Sequence, residues 1–335
     1  MHRFKLKNWK ETKDMNSAKI IIPSQKNLSR HNNTPTTFSL GNGLVDFKFY
    51  VSKAFKDEIV VKLIENESCD LSQLGFHFQS YSFLDKKQCD NFYSNSKNEY
   101  KKWIVKPQMG SGGKGIHLLG TNEQYNCSKI NKIIIQEFVS NPFLIDGFRF
   151  HVRFFLFIAS MEPLRIYTAP RQSFLRRAAI PYNETIRESY VTNLSICRKI
   201  RSERNCILYD FQFVNKYISA ELWSEAIALM SHISYNIIKS YLSYVQQKHK
   251  ISKNKFHWFG FDFLMDENMK PKFIEYNTRP RLNTRKLLIN RERGQELYNG
   301  IFEIVHLAHI GTKESQIQKI AEDYQFIRMP FREEE

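Results

Sequence analysis

No stretch of the 335 residues approaches the roughly 18 uninterrupted apolar positions that a membrane-crossing helix needs. The apolar tract around Phe154 to Ala159 is only strand length. The first residues, Met1 to Asp14, carry basic side chains with no apolar core behind them, which predicts no secretory leader. The five cysteines (Cys69, Cys89, Cys127, Cys197, Cys206) show no C-x-x-C spacing. That scatter predicts a reducing compartment, neither a disulfide frame nor a zinc site, and a cytoplasmic location. Internal repeats are absent, and neither a G-x-S-x-G elbow nor a Cys–His arrangement supports hydrolase chemistry. Acidic residues are also scarce, at 34 Asp and Glu against 50 Lys and Arg, a formal charge of +16. Such a surplus attracts polyanions: nucleic acid, anionic membrane, ATP phosphates or an acidic polypeptide. Solvated surface in a chain rich in Lys, Asn and Ile is the alternative, and charge alone does not choose.

What is present is bulk and pattern. Hydrophobic residues make up 42% and aromatics 14%, enough for a large, well-filled interior or two to three lobes sharing an interface. Trp103 to Lys106 and Ile133 to Gln136 read as short buried strands bracketing a glycine-rich turn. Residues 149 to 168 read as two strands joined at Met161-Glu162-Pro163. Ser219 is placed to cap a helix to Lys248, whose stripe of Trp223, Ile227, Met230, Ile233, Ile237, Tyr241 and Val245 is core and carries no chemistry. Phe259 to Met265 and Lys272 to Tyr276 form a hairpin, and a last helix runs from about Gly294 to His309. The class is α+β. The divisions fall at an N-terminal segment 1–48, a lobe 49–138, a second lobe 139–311 and a tail 312–335.

Three clusters carry chemistry. Lys106 ends a strand that runs into a loop holding Gly110, Gly112, Gly113 and Gly115 before Ile116. Glycines let backbone N–H groups approach phosphate oxygens and the lysine adds charge, although Lys precedes the glycines and no P-loop motif is formed. An ordinary turn is the alternative. Asp262, Glu275 and Asn277 interrupt the apolar strands Phe259-Gly260-Phe261-Asp262-Phe263 and Phe273-Ile274-Glu275-Tyr276-Asn277. Residues two apart share a strand face, and two carboxylates with an amide are oxygen donors of the kind Mg²⁺ takes beside nucleotide phosphates. A hydrogen-bonded polar pair at a sheet end is the competing reading. Arg149, His151 and Arg153 alternate along one strand, with Arg165, Arg171, Arg176 and Arg177 following. Three basic groups on one face call for an anion, unless the strand is a solvated edge.

In order along the chain, these stretches resemble the tubulin–tyrosine ligase-like family. The likeness runs from about residue 59 to 282: Val60-Val61-Lys62-Leu63-Ile64, Trp103 to Pro107 with the glycine loop, and Gln136-Glu137-Phe138-Val139. It continues through Pro142 to Gly147, Arg149 to Arg153, Phe174-Leu175-Arg176, Pro181-Tyr182-Asn183, Val191-Thr192-Asn193 and, most closely, Phe256 to Asn277. The resemblance implies an ATP-grasp fold with nucleotide between two lobes. Lys62 and Lys106 would meet phosphates, with Gly112, Gly113, Gly115 and Ile116 in the loop above them. Gln136, Glu137, Phe138 and Val139 would lie along adenine, with Arg149, His151 and Thr192 completing the nucleotide site. Asp262, Glu275 and Asn277 would hold Mg²⁺. Arg153, Arg176 and Asn193 would sit with Glu275 where acceptor and phosphate meet.

The implied activity is ATP-dependent transfer of tyrosine or glutamate to the acidic C-terminal tail of tubulin through an acyl phosphate, in the cytoplasm and on microtubules. Nucleic acid and membrane are not among the implied partners. A ligase with another protein acceptor and an inactive tubulin-binding relative are the alternatives. Two departures from the family stand out: His151 replaces an aspartate, and Arg279 and Arg281 replace small residues.

Overall fold

In a computed structural model, the described residues are 20–21, 40–42, 78, 80–83, 85–94, 101–107, 112–121, 123–129, 133–248, 255–277, 280 and 288–329. Strands in chain order are β1 (Ile20–Ile21), β2 (Leu40–Asn42), β3 (Ser80–Phe83), β4 (Trp103–Pro107), β5 (His117–Leu119), β6 (Ile133–Glu137) and β7 (Leu144–Ile145). They continue with β8 (Phe148–Met161), β9 (Leu164–Thr168), β10 (Phe174–Arg177), β11 (Ile207–Leu208), β12 (Lys255–Met265), β13 (Pro271–Asn277) and β14 (Ile327–Arg328). Two sheets result. The smaller has four strands in the order β3-β6-β4-β5. The larger has ten and is built around β8, which pairs antiparallel with β12 along one side and with β10 and then β9 along the other.

The sequence of β8 explains how one sheet serves as both core and cleft floor. Its even-numbered residues Phe150, Val152, Phe154, Leu156 and Ile158 are all buried in one cluster with Trp223, Met230, Ile233, Ile237 and Tyr241 of the helix Ala220–Lys248. The odd-numbered face changes character partway. Phe155, Phe157 and Ala159 pack with Leu297, Ile301 and Val305 of the helix Leu288–His309, whereas Arg149, His151 and Arg153 lie on that same face nearer the strand's start. A strand covered on both faces reads as a continuous apolar run, so the three basic residues mark where the second helix layer stops. The final segment packs on this layer too: Ile317 and Ala321 of the helix Glu314–Asp323 join the second cluster, and β14 pairs with β9.

Several sequence expectations are met. β4 and β6 pair directly, β8 and β9 are joined at Glu162-Pro163, and β12 and β13 form the hairpin. Ser219 caps the long helix, its Oγ accepting from the Leu222 amide at 3.2 Å. The last long helix begins at Leu288, earlier than Gly294, which sits inside it. Glycine costs only about 1 kcal/mol in a helix interior, a penalty readily outweighed by packing of neighbours such as Leu297 and Ile301.

The expectation that the cysteines form no disulfide is corrected. Cys89 is joined to Cys127 and Cys197 to Cys206, with Cα–Cα separations of 5.7 and 5.9 Å. Partners 38 and 9 positions apart are brought together by the fold rather than by local spacing. Cys69 lies outside the described residues. Alkylation of denatured protein without reductant should therefore label none of these four cysteines, and all four after reduction; intact-mass measurement distinguishes the outcomes.

Candidate functional site

Four adjacent strands, β13-β12-β8-β10, place the sequence-predicted polar residues in rows across the large sheet. Glu275, Asp262 and Arg153 are opposite one another in one row. Asn277 faces Gly260 in the row on one side. In the row on the other side, His151 stands between Leu264 and Arg176. Cross-strand neighbours come within about 5.5 Å at Cβ, so this register alone gathers six of the proposed side chains.

Asp262 is the hub. Arg153 grips it bidentately, Nε donating to Oδ1 at 2.5 Å and Nη2 to Oδ2 at 2.8 Å. Asn277 Nδ2 approaches Oδ2 at 3.4 Å, and His151 Nε2 lies 3.7 Å from Oδ1. The other ring nitrogen of His151 shares a 2.5 Å hydrogen bond with Thr192 Oγ1, which ties the Val191-Thr192-Asn193 segment to β8. Burial raises the Asp262 pKa, but the neighbouring guanidinium groups of Arg153 and Arg176 outweigh it and hold the carboxyl at about 2. Burial pushes His151 down to about 3, with Arg176, Arg153 and Lys106 adding to the effect against Asp262, so the imidazole is neutral. Burial and the nearby Arg153 lower Arg176 to about 9.

Two polar atoms in this cluster are buried without a hydrogen-bond partner, Arg176 Nε and His151 Nε2. Arg153, Arg176 and the approaching Lys106 set three cations against the carboxylates of Asp262 and Glu275. A buried donor left without an acceptor costs about 1–3 kcal/mol, and a cationic excess asks for an anion. The donor set and the unpartnered guanidinium nitrogen therefore fit a metal-bound polyphosphate: carboxylate and amide oxygens for Mg²⁺, cations for phosphate. His151, being neutral, adds no negative charge to offset that excess.

The small sheet supplies the opposite wall. Lys106 Nζ donates to Gln136 Oε1 at 2.5 Å, and Gln136 Nε2 donates to Ser80 Oγ at 2.9 Å, a chain across three adjacent strands. Glu137 alternates to the other face and pairs with Lys101 at 3.2 Å. Phe138 and Val139 are held by Arg149, whose guanidinium lies 4.5 Å over the Phe138 ring and donates to the Val139 carbonyl at 2.7 Å. Arg149 thus fixes the connection between the sheets instead of joining the row of His151 and Arg153; burial lowers its pKa to about 10.

The glycine loop is pinned from the large-sheet side. Gly112, Gly113 and Gly115 have φ values of +71°, +77° and +71°, which other residues adopt only with strain. Ser195 Oγ donates to the Gly112 carbonyl at 3.0 Å, Arg187 Nε donates to the Ile116 carbonyl at 2.9 Å, and Arg187 Nη2 donates to the Gly113 carbonyl. A Cβ at Gly113 would stand 2.9 Å from Asn193 Oδ1. Carbonyls are thereby occupied by protein donors, and Asn193 is packed directly against the loop. Lys62, Arg279 and Arg281 lie outside the described residues.

Sequence reasoning missed Ser80, Arg187, Ser195 and above all Gly260. A Cβ at Gly260 would be 2.9 Å from Arg153 Cδ and 2.7 Å from Pro280 Cβ. The glycine between Phe259 and Phe261 thus leaves room for the arginine to cross to Asp262. Gly260→Ala should displace Arg153 and reduce nucleotide-dependent turnover at least about tenfold, the cost of roughly 1.4 kcal/mol in the transition state. Full activity in a folded Gly260→Ala protein would contradict this.

An α+β fold with a small sheet facing a cation- and carboxylate-bearing hairpin of a larger one defines an ATP-grasp architecture. The C-terminal domain of Pby1 from K. lactis, described as an ATP-grasp enzyme interacting with the mRNA decapping enzyme Dcp2, superimposes with a TM-score of 0.61. The superposition covers 87% of this chain and 81% of that one at 16% identity. The profile of the Tubulin-tyrosine ligase family matches residues 39–316, and the chain belongs to that family. Tubulin polyglutamylase TTLL5 of Mus musculus is 28% identical over 229 residues, 62% of this chain and 17% of that protein. The Probable alpha-tubulin polyglutamylase Ttll1 of Tetrahymena thermophila is 29% identical over 229 residues, 62% of this chain and 55% of that protein. Tubulin monoglutamylase TTLL4 of Homo sapiens is 26% identical over 299 residues, 82% of this chain and 23% of that protein. The matched region thus spans well under two thirds of these relatives' lengths. Among the described residues, no helix is long and apolar enough to cross a membrane.

Proposed function

We propose that this chain is an ATP- and Mg²⁺-dependent ligase that joins an amino acid, glutamate in the first instance, to an acidic tail of tubulin. The observation that carries this reading is the single row Glu275–Asp262–Arg153, flanked by Arg176 with its buried unpartnered Nε. Glutamate is favoured over tyrosine because the relatives named above are glutamylases. Lobes 49–138 and 139–311, with segment 1–48 before and 312–335 after them, are the division that goes with it, and a cytoplasmic, microtubule-associated location follows from the acceptor.

A carboxylate is a poor electrophile. An acceptor carboxylate oxygen attacks the γ-phosphorus of ATP, ADP leaves, and an acyl phosphate forms. The amine nitrogen of the incoming amino acid then attacks the acyl carbon, phosphate leaves, the nitrogen loses a proton and an amide results. The protein's part is positioning and charge. Asp262, Glu275 and Asn277 would hold Mg²⁺, which neutralises phosphate charge when bound. Arg153 fixes the Asp262 carboxylate in place, and Arg176 presents its guanidinium to the transferring phosphoryl group or the acyl oxygen. Lys106 and the loop Gly112 to Ile116 take the outer phosphates, with Lys62 on the same phosphates, and the Gln136 to Val139 connection runs along the base. Thr192, held by neutral His151, and Asn193, packed on the glycine loop, keep the two walls in register.

The decisive experiment incubates the protein with ATP, Mg²⁺, tubulin and single amino acids and reads tail masses. Glutamate addition supports the reading, tyrosine addition corrects the amino acid, and nucleotide binding without transfer to any acceptor overturns it. Lys106→Ala should weaken ATP binding about tenfold or more, through loss of a phosphate charge and of the Gln136 contact; isothermal titration tests this, and unchanged affinity would make the loop an ordinary turn.

A further inference from the structure

Next to the strand edge at Arg176, two short helices carry charge that the reaction scheme leaves unused. Between Cys197 and Cys206 the chain reads Arg198-Lys199-Ile200-Arg201-Ser202-Glu203-Arg204-Asn205, four cations against one carboxylate. A disulfide closes this segment. It is tied down at three further points: Ile207 pairs with Arg176, Arg177 Nε donates to the Asn205 carbonyl at 3.0 Å, and Arg201 Nε donates to the Ala179 carbonyl. Arg201 is committed further, its guanidinium 4.5 Å over the Phe148 ring. Arg198 and Lys199 stand exposed beside Ile200, which is 54% exposed, on the last turn of the helix Leu194–Ile200.

That helix follows directly on Thr192 and Asn193, so one end is anchored in the cleft and the other reaches solvent. Arg198 is near enough for its charge to help depress Arg176, after burial and Arg153. Arg198 thus adds positive charge on the solvent side of the buried guanidinium. Cations in a last helical turn also complement the helix dipole, but that is worth about 0.3–1 kcal/mol and gives no reason for stapling them next to Arg176. The loop contains no aromatic side chain, and single-stranded nucleic acid binding relies on aromatic stacking platforms. An extended acidic polypeptide fits better: its carboxylates need cations alone.

We propose that the disulfide-closed loop 197–206 is the docking surface for the acceptor, an acidic polypeptide that lies along Arg198 and Lys199 and delivers its reacting carboxylate to Arg176. This rests on the ligase reading above and adds to it the route by which the acceptor enters. Interfacial cations of this kind act mainly on association, so the effect belongs to the acceptor and not to nucleotide.

The test measures fluorescence anisotropy of a labelled deca-glutamate peptide, and of an oligothymidylate of the same charge, on the full chain and on Arg198→Glu/Lys199→Glu. The variant should bind the peptide about tenfold more weakly, equivalent to roughly 1.4 kcal/mol, with MgATP affinity unchanged. The milder Arg198→Gln/Lys199→Gln should lose about threefold and serves if charge reversal impairs folding. No peptide binding by the parent, equal binding by parent and variants, or preferential loss of oligonucleotide overturns the proposal. Transfer assays keep the two ideas apart. A parent that modifies tubulin while the variants leave acceptor KM unmoved sinks the docking surface alone. A parent that binds deca-glutamate through these residues yet transfers no amino acid sinks the ligase reading alone.

Discussion

Glu275→Gln is expected to abolish amino-acid transfer while leaving the melting temperature within a degree or two of the parent. Glu275 is half-buried on β13, directly across from Asp262, and the Asp262 carboxylate is already occupied by Arg153. Glu275 is the second carboxylate of the proposed Mg²⁺ site, and an amide of the same shape removes its charge without opening a cavity. A metal that stabilises transition-state charge contributes several kcal/mol, so turnover should fall by about 10³-fold or more. Transfer kinetics with thermal melting on the same preparation check both halves. A folded Glu275→Gln protein with near-parental rate would take Glu275 out of the proposed metal site and leave Asp262 and Asn277 without a second carboxylate.

How visible this site is from sequence depends on contrast. Asp262 stands out because Phe259, Phe261 and Phe263 flank it, and Glu275 and Asn277 because Phe273 and Tyr276 do; a charge on a strand of buried aromatics needs a reason. Arg149, His151 and Arg153 are equally legible as an alternating set, yet alternation says only that they share a face. It does not show that Arg149 turns to the Val139 carbonyl and the Phe138 ring while Arg153 turns to Asp262. The Thr192–His151 hydrogen bond joins positions 41 apart and has no local signature. Gly260 is harder still, since its role is the space it leaves for another residue's side chain. Cysteine pairing failed for a related reason: spacing tests detect short loops with known motifs, whereas Cys89 and Cys127 meet because the helix Lys86–Tyr93 packs beside the short helix Cys127–Lys129. Contrast within one element is readable; contact between elements is not.

The same row of residues yields a second large effect of opposite kind. Asp262→Ala should unfold or severely destabilise the protein, because it strands the Arg153 guanidinium, which is 4% exposed and donates twice to Asp262. Breaking a buried ion pair from one side costs about 3–5 kcal/mol, since the remaining charge is left uncompensated. Against a typical total of about 10 kcal/mol that is roughly a third to a half. Replacing both partners removes the charge as well as its counterion, so Asp262→Leu/Arg153→Met should recover most of the lost stability while transfer remains absent. Denaturant midpoints of the parent, the single variant and the double variant form the test. If Asp262→Ala lowers the midpoint no more than a surface substitution, the carboxylate is not the partner that holds Arg153. If the double variant is as unstable as the single one, packing around Gly260 and Phe261, and not charge, sets the stability of this hairpin. The expected pattern separates two carboxylates that face each other across one register position: Asp262 supports the fold and the site together, and Glu275 serves the chemistry alone.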